Sequence, residues 1–381
     1  MMKQNELEEV SCLSILNLPT DLIHKIFSRV QVKAIARCKV VCSAWYNLLS
    51  VPDFVNYYAK NTPFTTLLLS QHHKAVTCTT KRDTFSFAEI SEDGNDCTRT
   101  TIEPKVPGWP KQDAYLFIKG SCNGLLCLLL HNFRVDCEVI YIYNPTSGET
   151  ISLPQHTFKQ NELSYAAYKF GFSPSTNKFK VLKIVPITMS NGDRTQRCEI
   201  FTVGVDQRWR QLDLEYSFRA KYSGCRIALN GVVCWLAWDL DSTNIATFDF
   251  GEEKLGHISH PRGVVLNYTN MEIVVLNNRL RLLDYSIPSH YTMWTMEEYG
   301  VAESWTKIVI LKSCFPSYAP LLQQCPVAIL QNGNILFRIG RVKGFMCYSP
   351  KQKECSEVEV PDGEGFIHCI SEFAPLGSLR K

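Results

Sequence analysis

No run of this chain is long and apolar enough to cross a membrane as a helix. The uncharged, leucine-rich stretch Gly120 to Phe133 has 14 residues, where about 20 are needed. A basic-then-apolar export signal is also missing, since the N-terminus carries Glu6, Glu8 and Glu9. Charge of one sign is scarce: 40 Lys plus Arg oppose 37 Asp plus Glu, leaving +3. That balance gives no general grip on nucleic acid or an anionic membrane. Sixteen cysteines include no Cys-x-x-Cys pair, and the closest spacings, Cys38/Cys42 and Cys122/Cys127, have no downstream pair to complete a zinc site. These absences predict a soluble, non-secreted protein of the cytoplasm and/or nucleus, with reduced thiols serving mainly as small apolar residues. No metal, cofactor, nucleic acid or membrane partner is expected.

What is present is globular: 45% apolar and 20% charged residues over 381 positions. That length fits two or three domains, or one small domain beside a large one. The net positive charge sits in residues 14–60, where Lys25, Arg29, Lys33, Arg37, Lys39 and Lys60 face only Asp21 and Asp53. This module reads as helical. Pro19 suits a first helical position, with Asp21 in the first turn. Leu22, Ile26 and Val30, with Phe27 alongside, make one apolar stripe. Ile35, Cys38 and Cys42 make a second, and Val41, Trp45, Leu48 and Leu49 a third, stopped by Pro52. Three short helices bury too little to close a core, so the apolar face is expected to be a docking surface.

From about Thr62 the pattern becomes period-2 runs rich in β-formers, broken by Asn-Gly, Gly and Pro turns. Cys122-Asn123-Gly124-Leu125 is echoed by Leu229-Asn230-Gly231-Val232, Leu276-Asn277-Asn278-Arg279 and Gln331-Asn332-Gly333-Asn334, with Thr176-Asn177-Lys178 a weaker relative. The asparagines at 123, 177, 230, 277 and 332 are spaced 54, 53, 47 and 55 apart, and a sixth hairpin is placed around His72 and His73. A second feature keeps the same period: Trp209 and Trp305 each end a strand pair, and Ser152-Leu153-Pro154, Ser259-His260-Pro261 and Glu359-Val360-Pro361 each close a repeat. A period near 50 with several strands per unit predicts a β-propeller of about six blades, the alternative being an irregular sandwich. Residues 366–373, left without a hairpin, alternate like a strand and are expected to pair into the blade begun by residues 66–90.

Leu18-Pro19-Thr20-Asp21-Leu22-Ile23, Ile26-Phe27-Ser28-Arg29-Val30 and Arg37-Cys38-Lys39-Val40-Val41-Cys42-Ser43-Ala44-Trp45, closed by Leu48 to Phe54, resemble an F-box. Gln31 departs from it, standing where the family often has proline. The rest resembles the F-box-associated domain of plant F-box proteins. Gly120 to Cys127, Tyr143-Asn144-Pro145, Phe170-Gly171-Phe172-Ser173-Pro174, Lys178 to Leu182, Asn230 to Ala237 and Thr247-Phe248-Asp249-Phe250 carry the likeness. Gly-Gly doublets are absent, so this is not a standard kelch array. The resemblance implies a tail over residues 1–13, an F-box over 14–60 and a propeller over 61–378, an α+β multidomain chain. It implies a non-catalytic substrate-recognition subunit of a Skp–cullin–F-box ubiquitin ligase. Its partners would be a Skp-type adaptor, through it a cullin and a RING subunit, and an unknown protein substrate. The adaptor-binding residues would be Leu18, Pro19, Leu22, Ile26, Val30, Ile35, Val41 and Trp45.

Other chemistry is weaker. Gly120-Ser121-Cys122-Asn123-Gly124 has the form of a nucleophile elbow, but a strand-like run follows where the elbow needs a helix. His257 and His260 fall on opposite faces of a strand and share no ion easily. Asn267-Tyr268-Thr269 is a formal glycosylation acceptor that needs export. Arg194, Arg197, Arg208, Arg210 and Arg219 are interleaved with Glu199, Asp206, Asp213 and Glu215, which reads as a mixed-charge surface. Long inter-strand segments offer Trp109, Tyr291, Trp294, Phe315 and Tyr318 as substrate-binding candidates. Trp109 and Trp294 read equally well as residues that pack those segments down. The alternative function is a propeller with its own hydrolase, small-molecule or glycan-binding activity, to which the F-box adds turnover control.

Overall fold

The computed structural model describes residues 18–39, 41–72, 84–102, 104–107, 114–132, 137–155, 166–188, 194–213, 219–220, 228–238, 243–267, 269–316, 325–338, 344–361 and 366–370. Four helices come first: α1 (Thr20–Ser28), α2 (Val32–Lys39), α3 (Ser43–Ser50) and α4 (Pro52–Asn61). Pro52 ends α3 and also opens α4, because a proline's fixed φ and missing N–H suit a first helical turn. The sequence reading of three helices is thereby corrected. α4 supplies Phe54 and Tyr58, which join Ile23, Phe27, Ile35 and Leu49 in a closed core. The Tyr58 hydroxyl donates to the Val30 carbonyl at 2.9 Å, tying α4 to the end of α1.

Only Thr62 and Pro63 separate α4 from the first strand. The Gln331 amide donates to the Thr62 carbonyl at 2.6 Å, and Gln31 reaches the Thr98 hydroxyl at 3.3 Å. The helical module is thus held against the β domain at two points.

The β domain is six four-stranded antiparallel sheets. Blade 1 holds β1 (Phe64–His72), β2 (Thr84–Ser91) and β3 (Cys97–Ile102). Blade 2 holds β4 (Ala114–Cys122), β5 (Leu125–Asn132), β6 (Cys137–Tyr143) and β7 (Thr150–Ser152). Blade 3 holds β8 (Ala167–Ser173), β9 (Lys178–Thr188), β10 (Arg194–Thr202) and β11 (Arg210–Leu212). Blade 4 holds β12 (Arg219–Ala220), β13 (Val232–Trp238), β14 (Thr243–Asp249) and β15 (Lys254–Ile258). Blade 5 holds β16 (Met271–Leu276), β17 (Arg279–Asp284), β18 (His290–Met296) and β19 (Trp305–Leu311). Blade 6 holds β20 (Cys325–Ile329), β21 (Ile335–Arg338), β22 (Gly344–Ser349) and β23 (Glu354–Glu359). The last strand, β24 (Phe366–Ile370), returns to blade 1 and pairs with β1, Leu68 opposite Ile370 and His72 opposite Phe366. The expected ring closure is therefore present.

That closure displaces blade 1 by one strand relative to the others. Asn123-Gly124 and Asn277-Asn278 join the first and second strands of their blades. Both residues of each pair have positive φ, as do Asn230 and Gly231, the type I′ geometry that suits strand twist. In blade 1 the first strand is β24, so the segment after His72 joins the second and third strands. The hairpin placed around His72 and His73 is thus out of register with the asparagine turns, and residues 73–83 lie outside the described residues.

Six apolar clusters fill the six gaps between neighbouring blades. β1 shows how one strand serves two of them: Leu68 faces blade 2, while Leu67 and Leu69 face blade 6. A strand buried on both faces needs no polar alternation, which is why Leu125 to Leu130 reads as a continuous apolar run.

The repeating tryptophans stitch blades together. The Trp209 indole N–H donates to the Pro154 carbonyl that ends blade 2, and the Trp305 indole to the Ser259 carbonyl that ends blade 4, both at 2.9 Å. In blade 1, Arg99 makes the corresponding reach, to the Pro361 carbonyl at 3.4 Å. Trp305→Phe should keep most of the apolar contact but lose the bond, costing about 1–2 kcal/mol in chemical denaturation. An unchanged midpoint would show that the stitch contributes nothing.

Blades 3 and 4 carry an ionic tie as well. The buried Lys180 ammonium donates to the Phe250 carbonyl at 2.7 Å and to Glu253 at 2.8 Å, and Arg210 meets Glu253 at 2.9 Å. Burial alone would raise the Glu253 carboxyl, but Arg210 and Lys180 outweigh it and hold the group below its ordinary value. A depressed carboxylate stabilises the fold above its unfolded pKa, and that stability is lost as pH falls through the folded pKa. Glu253→Gln should cost about 2–3 kcal/mol at pH 7, since Lys180 then keeps a buried charge without its counter-ion. The deficit should shrink as pH falls through the depressed folded pKa of Glu253, where the wild-type carboxylate becomes protonated. Equal wild-type and variant stability at pH 7 would refute the tie. At the same seam, a Cβ at Gly171 would sit 2.2 Å from the Phe250 ring, so only glycine fits there.

Candidate functional site

α1 carries two apolar rows one residue apart. Ile23 and Phe27 point inward to the core. Leu22 and Ile26, four residues apart and so on one helical face, point outward with 41% and 52% exposure. Leu18 and Pro19 lie exposed at the head of the helix, and Val41, after α2, is 60% exposed. Lys25 and Arg29 are exposed among them. Burial pushes the nearby Lys39 ammonium down to about 8.

The eight residues expected at the adaptor face divide in two. Leu18, Pro19, Leu22, Ile26 and Val41 are at the surface. Ile35 is fully buried in the helical core, and that expectation is corrected: α2 turns it toward Leu49 and Phe54. Val30 and Trp45 are half-buried against the same core, the Trp45 ring meeting Phe27 edge-on at 5.3 Å. They support the face rather than form it.

The propeller candidates fare differently. Trp109 and Tyr318 lie outside the described residues. Tyr291 is corrected: the segment read as a loop is strand β18, and its ring is buried between blades 5 and 6. Phe315 is buried there too, its ring 5.9 Å from Tyr291 and 5.1 Å from Phe337. Burial pushes the Tyr291 phenol up to about 12. Trp294, on the opposite face of β18, is half-buried and borders an open groove of 520 Å³ with Val265, Ile287, Lys307 and Val309. Sequence reasoning missed these four partners. For Lys307 and Val309 the signal was the apolar run Lys307-Ile308-Val309-Ile310-Leu311; Val265 and Ile287 had none.

Cys122 ends β4 and is followed by a tight turn and β5, not a helix. Burial pushes its thiol up to about 12, away from thiolate. The Tyr168 hydroxyl donates to Glu138 at 2.7 Å, with His131 at 3.4 Å from the same carboxylate, a polar tie enclosed between blades 2 and 3. Among the described residues, no three His, Cys, Asp or Glu side chains gather as a metal-binding group. No helix among them is long and apolar enough to cross a membrane.

A helical module with an outward apolar row, held against a closed six-bladed ring, defines a class of two-part, helix-plus-propeller chains. Comparison gives this class its family. Residues 15–57 match the F-box domain and residues 74–369 the F-box associated beta propeller domain. The chain belongs to the family of F-box proteins that carry this propeller. It is 26% identical to the F-box protein At3g07870 of Arabidopsis thaliana, over 88% of this chain and 85% of that one. It is 24% identical to the Arabidopsis thaliana F-box/kelch-repeat protein At3g23880, over 80% and 82%. A chain of a nidogen/laminin complex covers 80% of it with a TM-score of 0.41 and 11% identity, too remote to bear on function. This domain order supports, in general terms, a substrate-recognition role in a Skp–cullin–F-box ubiquitin ligase.

Proposed function

We propose that this chain docks on a Skp-type adaptor through Leu18, Pro19, Leu22, Ile26 and Val41. Through that adaptor it joins a cullin and a RING subunit, and its propeller holds a protein for ubiquitination and degradation. The observation that carries this is the outward row on α1. Its apolar side chains stay in water although the module beneath them has closed its own core. Large apolar side chains grouped on one small module mark an interface. Such a subunit needs no reacting group of its own, because holding two proteins together raises their effective concentration.

Co-expression tests it. The chain and a Skp-type adaptor should elute from a sizing column as a one-to-one complex, and separate elution would overturn the proposal. Affinity capture with the proteasome blocked should then enrich the substrate, and the enrichment should require the propeller.

A further inference from the structure

The outermost strands of the six blades are unequal. β7 and β11 have three residues each. β3 carries Arg99, β15 carries Lys254 and His257, and β23 carries Glu354, Glu357 and Glu359. Short or charged edges are how sheets avoid pairing with foreign strands. β19 differs from them in the apolar surface it exposes. It has seven residues and a single charge, with Val309 48% and Leu311 45% exposed on one face and Ile308 exposed on the other. Among the described residues it pairs with β18 alone. In antiparallel pairing only alternate backbone groups face the neighbour, so the rest of β19's N–H and C=O groups face outward.

The groove beside this edge adds charge to shape. The Lys307 ammonium lies over the Trp294 ring, 5.4 Å from its centre. Among the described residues it forms no ion pair. Asp284, the carboxylate in the groove, is engaged by the Ser286 backbone N–H at 2.8 Å. The face therefore offers, in a groove shared with the Asp284 carboxylate, a cation with no ion-pair partner among the described residues, followed, at two-residue steps, by Val309 and Leu311.

We propose that β19 captures an extended, acidic-and-apolar peptide segment as a fifth strand of blade 5. A carboxylate would lie opposite Lys307 and apolar side chains opposite Val309 and Leu311. Backbone bonds to the open edge would supply affinity, and the alternating side chains specificity. For antiparallel addition the segment reads apolar-x-apolar-x-acidic. A second copy of the chain fits less well, since it would bring a second Lys307 and no carboxylate. This inference rests on the reading of the propeller as the part that presents substrate, and names the surface that does so.

The test uses the full chain, alone and with its adaptor, and synthetic peptides built on Leu-Thr-Val-Thr-Glu. The peptide should bind saturably, and binding should protect β19 amides from hydrogen exchange. Replacing its Glu with Lys should weaken binding about tenfold. Lys307→Glu should reverse that preference, and Val309→Asp should remove binding, while both variants keep the wild-type melting temperature and adaptor complex. N-methylation at alternate peptide positions should abolish binding in one phase and spare it in the other. Absence of binding, insensitivity to the charge swap, or tighter binding of a neutral peptide to Lys307→Ala would overturn the proposal. So would a doubled mass in light scattering that Val309→Asp abolishes, which would assign the edge to self-association. Loss of the adaptor complex in the wild-type chain would refute the ligase reading instead, and is read out separately.

Discussion

Leu22→Asp combined with Ile26→Lys should abolish capture by a Skp-type adaptor while leaving the chain folded. Both side chains stand on the outward row of α1, with 41% and 52% exposure. Charging them removes no core contact. In the complex, each would place a charge where an apolar anchor is expected to be desolvated, at about 2–4 kcal/mol per anchor. Even with partial overlap of the two effects, affinity should fall by roughly 10³-fold or more. The control is Ile35→Asp, which should unfold the helical module because it buries a charge among Phe54, Leu49 and Tyr58. Isothermal titration of the double variant, beside its circular dichroism, separates the two outcomes. Retained binding by a folded double variant would remove the docking face.

The second large effect concerns the ring. Deleting residues 364–381 removes β24, and with it the pairing from Leu68–Ile370 to His72–Phe366. β1 then becomes an open edge carrying Leu67, Leu68 and Leu69, all buried in the closed ring. Blade 1 would keep three strands, with blade 6 joined to it by apolar packing and the Arg99–Pro361 bond. The truncated chain should melt lower by several degrees and aggregate on heating. It should still bind its adaptor, because the helical core has no residue in common with the ring clusters. A truncated protein as stable and soluble as the full chain would show that closure contributes little.

Much of this was legible beforehand for physical reasons. Type I′ turns require positive φ, so Asn-Gly pairs mark strand junctions, and their spacing gave the blade period. Residues 366–370 alternate without a turn of their own, which exposed them as the closing strand. Blade 1 was misaligned because its first strand comes from the far end of the chain, and local spacing carries no trace of that. α4 was hidden because proline ends one helix and starts the next with the same restricted φ. Ile35 was assigned to the wrong face since α2 packs with its apolar stripe inward, which one helix's periodicity does not settle. Tyr291 and Phe315 look like loop anchors in the sequence, yet Tyr291 falls on strand β18, on the face turned toward blade 6, while Thr292 and Trp294 on its other face are only half-buried. Trp209 and Trp305 are marked by their spacing as repeat features. The carbonyl each one binds lies about 50 residues away in the preceding blade, beyond any local pattern.

The pairing of β24 with β1 also sets a timetable for synthesis. The two strands are separated by roughly 300 residues, so at about 5–20 residues per second β1 waits some 15–60 s for its partner to leave the ribosome. The helical module, built from contacts within about 40 residues, belongs to the fast class of folding units. A nascent chain would therefore hold a finished docking face for some 15–60 s before its ring could close. Premature engagement by the adaptor would seat an unfinished propeller, with β1 open, beside the ubiquitin-transfer machinery. A chaperone that covers β1 until β24 emerges would protect the nascent chain from aggregation.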